Sequence, residues 1–255
     1  WKHKTITRNG KQMTIFQLWS PVRAMAIYVK LQLPLRTYQV RMIDSGEADT
    51  WRYQQGQWQQ NNKHNFSMGS DGRPFGKGVF KRIHDSMTGL YSTGLYINTN
   101  KTADQNKEEI QRGYTIPWQH EEVLYWLEKL RNWQEKYNPI EKPTSCTTLL
   151  AKHTRDLKSS TQLEQMGDIC FLFRDAAASN NEDKVKPISD APLFPFWYQL
   201  LLTLENSLAA QSNTLDNGER LKFVVNYPEG TQKSGKTVTL FSLHSLRVSL
   251  ITSYV

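Results

Sequence analysis

The sequence predicts an α+β, mainly helical domain with a small antiparallel β-sheet. Apolar residues Val123, Leu124, Leu127, Leu130 and Trp133 recur at helical spacing after Pro117, with Glu121 and Glu122 in what would be the first turn. Leu95 and Ile97, then Tyr114, Ile116 and Trp118, alternate with polar residues on either side of a charged loop, the period-two pattern of paired strands. A chain of 255 residues, 38% of them hydrophobic, is long enough to bury one large core.

Taken in order, residues 22–43 place Met25, Tyr28, Val29, Leu31 and Leu35 close to helical spacing, which suggests two helices meeting at Pro34. Pro34 would occupy the first turn of the second helix and set Arg36 at a helix start. Asp44–Asp49 reads as a turn, 51–62 as a short hairpin leading into a polar loop, and 69–78 as a turn-rich, mobile loop. The strands of 94–118 form a β-hairpin with Lys101 at the end of the first, and 119–137 is a helix. Prolines 139, 143, 187 and 192 flank the apolar run Asp168–Ala178, so 138–192 is assigned to connecting structure and short helices. Residues 195–211 are helical with an aromatic end that belongs to the core. A short strand and a turn follow, and Ser242 is placed to cap a last helix.

Charge narrows the partner. Lys and Arg total 32 against 24 Asp and Glu, a net +8, and Trp1–Ile43 holds eight of these cations (Lys2, Lys4, Arg8, Lys11, Arg23, Lys30, Arg36, Arg41) and no acid. A polyanion suits such a region, and nucleic acid is the commonest. No stretch has the apolar length of a bilayer span and no basic-then-apolar leader is present, so the expectation is a cytoplasmic, nucleoid-associated protein that engages no membrane. Cys146 and Cys170 lack metal-ligand spacing and read as reduced structural thiols. The chain opens on Trp1 and stops eight residues after Arg247, which suggests a piece of a longer protein.

Four cationic side chains occur in a telling order: Arg36 at a helix start, Lys101 on a hairpin, and His244 and Arg247 three apart at the start of a late helix. In "LRTYQV", "INTNKT…YTIPW" and "SLHSLRVSLIT" the chain resembles the catalytic domain of the tyrosine recombinases, the phage-integrase family. The resemblance implies a tyrosine-recombinase (DNA breaking-rejoining) catalytic core over 1–255, incomplete at its C-terminus and without an evident N-terminal DNA-clamp domain. It nominates Arg36, Lys101, His244 and Arg247 as catalytic residues. Gln39 stands where the family usually has glutamate. The family's nucleophilic tyrosine lies a few dozen residues past the second arginine; Tyr254, only seven past, is read as a core or surface tyrosine.

The chemistry can be stated from the residues. Attack on a phosphodiester loads negative charge onto non-bridging oxygens, and two forked, permanently charged arginines stabilise that charge. Lys101 would protonate the leaving 5′ oxygen, and His244 would bond the phosphate and help manage the nucleophile's proton. No metal or other cofactor is called for. Duplex DNA is the implied partner, with self-association on DNA. The competing readings are a non-enzymatic DNA-binding or regulatory protein of the same fold, and a type IB topoisomerase.

Overall fold

A computed structural model describes residues 2–100, 104, 107, 111–118, 120–154, 156–226 and 237–253. It begins with a feature the sequence reading left unassigned: strands β1 (Lys2–Arg8) and β2 (Lys11–Gln17) pair antiparallel in full register. Asn9 and Gly10 join them with φ of 52° and 74°, the left-handed pair that a tight two-residue hairpin demands. No residue of this ribbon is buried.

Helix α1 (Val22–Gln32) buries Val22, Met25, Ala26 and Val29, and ends before Pro34. Pro34 lies in the link to α2 (Thr37–Arg41), not in that helix's first turn, because Arg36 in extended conformation is the N-cap. Strands β3 (Trp51–Gln54) and β4 (Gln57–Gln60) form the expected hairpin. The turn-rich loop holds a two-residue pairing of β5 (Gly69–Ser70) with β6 (Arg73–Pro74). The central hairpin gains a strand: β7 (Phe80–His84) pairs with β8 (Tyr91–Ile97), which pairs with β9 (Tyr114–Ile116).

Helix α3 (Glu121–Tyr137) buries Val123, Leu124, Leu127 and Leu130, as its period requires. Beyond it lie β10 (Thr144–Ser145), a 3-10 turn at Cys146–Thr148, α4 (Ala151–Thr154), α5 (Ser160–Glu164), β11 (Asp168–Ile169) and α6 (Asn181–Lys184). Helix α7 (Leu193–Ala210) follows, then β12 (Val224–Asn226), β13 (Thr237–Thr239) and α8 (Ser245–Ser253). The α+β class holds, but the described residues carry one three-stranded and five two-stranded antiparallel sheets instead of a single small one. The largest core cluster is drawn from α1, α3, α7, the β7–β8–β9 sheet and Leu172–Phe173. No helix of the described residues is long and apolar enough to cross a membrane.

The Asp44–Asp49 turn is in the interior. Asp44 accepts from the N–H groups of Gly46 (2.7 Å) and Cys170 (2.9 Å), and Asp49 from those of Lys77 (2.8 Å) and Gly78 (2.9 Å). Burial pushes both carboxyls above the ordinary carboxylate range, and the Asp49 charge raises Asp44 further. Backbones cross here so closely that a Cβ on Gly78 would lie 2.4 Å from Gly46 Cα, so glycine is required.

Several arginines counted in the net charge are core components. Arg174 grips Glu47 with bonds of 2.6 and 3.2 Å, and Arg52 grips Glu135 at 2.6 and 2.8 Å. Arg41 bonds the carbonyls of Ile188 (2.5 Å) and His153 (2.6 Å). Arg131 bonds the Tyr53 carbonyl and lies over the Phe80 ring. Of the eight cations in Trp1–Ile43, Lys30 and Arg41 are buried and thus withheld from any surface patch. Both cysteines are buried and unpaired, with burial pushing the Cys146 thiol up to about 12, so neither is a ready thiolate.

Candidate active site

The link between α1 and α2 is where the distant motifs meet. Helix α8 packs on α1, and the Arg247 Nε–H donates to the Pro34 carbonyl at 3.0 Å. Arg247, in the first turn of α8, and Arg36, at the cap of α2, are each half-buried. The ring of Tyr114, on β9, senses both: burial raises its hydroxyl pKa, while a hydrogen bond from Gln39 and the charges of Arg247 and Arg36 pull it back. Arg36 and Arg247 form no ion pair with any carboxylate among the described residues, so their charge is open to an anion.

Gln39 organises this region. Its Oε1 accepts from the Arg36 backbone N–H at 3.0 Å, closing the first turn of α2. Its Nε2 donates to the Thr99 carbonyl at 3.0 Å and the Tyr114 hydroxyl at 3.3 Å. A glutamate here would accept as well but could not donate to Thr99, so this amide suits a position facing a carbonyl. Thr99 is two residues before Lys101, which lies outside the described residues, as does Tyr254.

His244 sits in the turn that precedes α8, not within the helix, because Ser242 caps from further back: its Oγ accepts from Ser245 N at 3.1 Å. The imidazole is exposed and the His244 carbonyl accepts from Arg247 N at 3.2 Å.

Sequence reasoning missed Lys30. It is 1% exposed on α1, its Nζ donates to the Leu35 carbonyl at 3.0 Å, and burial together with the Arg247 charge lowers its pKa to about 8. Thus Lys30 and Arg247 hold the two ends of the Pro34–Leu35 link that presents Arg36. The available signal was its place on the buried stripe of α1, one turn after Ala26.

One set of groups has the spacing of a cation site: ligand atoms of Glu47, His64 and Glu135 lie within 4.8 Å of one another. Each carboxylate is already held by an arginine fork, Glu135 also by Lys63, and His64 Nε2 lies 3.1 Å from Glu135. Burial works to raise the Glu135 carboxyl, but bonds from His64 and Arg52, the Arg52 charge and the Lys63 bond overcome it and hold it well below the usual range. A metal there would meet cations, and the group acts as a brace between α3 and the 47–64 region.

A protein-family profile described as "Putative integrase" matches residues 1–147, which takes in Arg36, Gln39 and the β7–β8–β9 sheet. No curated protein and no solved structure matches the chain.

Proposed function

The chain belongs to that integrase family, and from this premise we propose that it is the catalytic core of a tyrosine recombinase, a site-specific DNA strand transferase acting on duplex DNA. One observation carries the reading: the second arginine motif, from outside the matched region, returns to the link that bears the first, with Arg247 bonded to Pro34 at 3.0 Å. Two half-buried guanidinium groups with no carboxylate partner among the described residues suit a phosphodiester whose charge grows as it becomes pentacoordinate.

In this mechanism a tyrosine oxygen attacks phosphorus. The bond to the 5′ oxygen breaks, and a 3′-phosphotyrosyl link and a free 5′-hydroxyl result. Arg36 and Arg247 stabilise the equatorial oxygens, Lys101 supplies the proton to the leaving oxygen, and His244 bonds the phosphate from the exposed turn before α8. Reversal against a different 5′-hydroxyl rejoins strands.

The test is a nicked suicide duplex incubated with the protein and its Arg247→Ala variant, resolved on a denaturing gel. A DNA adduct that is stable to denaturant with the first and absent with the second supports the proposal. Absence of any adduct with retained duplex binding favours a non-enzymatic DNA-binding role instead. Relaxation of a supercoiled plasmid lacking any recombination site would point to a topoisomerase.

A further inference from the structure

The β1–β2 ribbon has a sided chemistry that its register defines. Cross-strand partners share a face and successive residues alternate. Lys2, Lys4 and Arg8 therefore lie on one face with Lys11, which pairs with Arg8. The same face carries Ile6, Met13 and Ile15 between the charges. The opposite face is neutral or weakly basic: His3 pairs with Phe16, Thr5 with Thr14 and Thr7 with Gln12. No acid occurs anywhere in the ribbon. At its open end Lys2 and Gln17 border a groove shared with Trp19, Arg23 and Trp133.

A two-stranded ribbon with no buried residue gains little from its own packing. Its cationic face suits a covering surface that is itself charged. With four cations and no acid in the ribbon, this face is complementary to a surface of a single negative sign, a polyanion, more than to the mixed charge of a typical protein surface. Duplex DNA matches it on three counts. The major groove admits a two-stranded β-ribbon, the phosphates pair with lysine and arginine, and thymine methyls accept aliphatic side chains. The seven-residue strands give a contact about 20 Å long.

We infer that the β1–β2 ribbon is a DNA-contacting arm that lies along a duplex by its Lys2–Lys4–Arg8–Lys11 face, separate from the arginine pair at the active site. The inference rests on the DNA-strand-transferase reading, whose failure is detected separately below.

The experiment is fluorescence anisotropy of this chain on a 30-bp duplex over a salt series, comparing wild type, the ribbon variant K2Q/K4Q/R8Q/K11Q and Arg247→Ala. Each lost phosphate contact lowers the slope of log affinity against log salt by ~0.9, so the ribbon variant, with four cations removed, is expected to lose about three and a half units of slope. Its affinity at low salt should fall at least about tenfold by the same loss of counterion release. Arg247→Ala should lose about one unit at most. A ribbon variant with wild-type slope and affinity overturns the arm while leaving DNA binding intact. A wild type that fails to bind duplex even at low salt overturns both this inference and the DNA reading. Should the fourfold variant misfold, Lys4→Glu, a single exposed change, is expected to lower the slope by about one unit, and an unchanged slope counts against the arm.

Discussion

The Nε–H of Arg247 donates to the carbonyl of Pro34 at 3.0 Å, joining positions 213 residues apart in the chain. With the Lys30 ammonium bonded to Leu35 O, it fixes both peptide units that precede Arg36. The first arginine of the proposed clamp is thus placed by the second arginine and by a buried lysine, and α8 is part of the site's frame as well as a source of its side chains.

Replacing Arg247 separates these two duties. Arg247→Lys keeps the charge but has no fork, so the proposed strand cleavage should fall by at least about a hundredfold, while duplex affinity changes little. Loss of the Pro34 bond should cost ~1 kcal/mol in a urea melt. Cleavage at the wild-type rate with lysine would sink the bidentate role.

Gln39→Glu would install the residue the family usually has, in a surrounding built for an amide. The buried carboxylate would still accept from Arg36 N but would face the Thr99 carbonyl without a proton to offer. A destabilisation of ~1–3 kcal/mol is expected. An unchanged denaturation midpoint would mean that the 98–100 turn relaxes away from Gln39 freely.

Lys30 makes stability depend on alkaline pH. Its folded pKa, about 8, lies below its ordinary 10.5, because burial and the Arg247 charge disfavour the ammonium. Between those values the unfolded chain binds more protons than the folded one, so the cost of the buried charge is full below about pH 8 and fades as pH rises towards 10.5. Wild type should therefore gain stability relative to Lys30→Met between pH 7.5 and 10. Parallel urea midpoints across that range would refute it.

The Arg174–Glu47 pair is fully buried on both sides. Glu47→Gln leaves a guanidinium without its counter-charge and should destabilise by ~3–5 kcal/mol, whereas the double change Glu47→Gln with Arg174→Met should recover much of that loss. Thermal melts of the two variants decide it, and additive losses would show that the pair is not the unit responsible.

Strong local periods were legible. Val123 through Leu130 pointed to α3, Trp197 and Leu201 lie buried on the α7 expected from 195–211, and the alternation at Leu95–Ile97 and Tyr114–Ile116 located two of the three central strands. The ribbon was missed although Asn9-Gly10 between Thr- and Ile-containing runs is a direct hairpin signal. The Asp44–Asp49 turn was legible as a turn but not as an interior one, since the donors that satisfy it, Cys170 N, Lys77 N and Gly78 N, are remote in sequence. Residues 138–192 resisted for the same reason: Gln134 holds the carbonyls of Leu172 and Arg174, and no local pattern announces that. Arg36 and Arg247 were nominated through their motifs, and the bond from Arg247 to Pro34 places the second motif against the link before the first. Lys30 was not, because a lysine on an apolar stripe reads as an interruption of the period.

Gln39 has a consequence for how the site responds to a substrate. One amide bridges the cap of α2, the Thr99 carbonyl and the Tyr114 hydroxyl, so shifting the 98–100 turn and loosening the Arg36 cap draw on a single free energy. Thermodynamic linkage then runs in both directions. An anion held by Arg36, as proposed, would also steady the turn of Thr99, and anything that draws that turn aside would weaken such a hold.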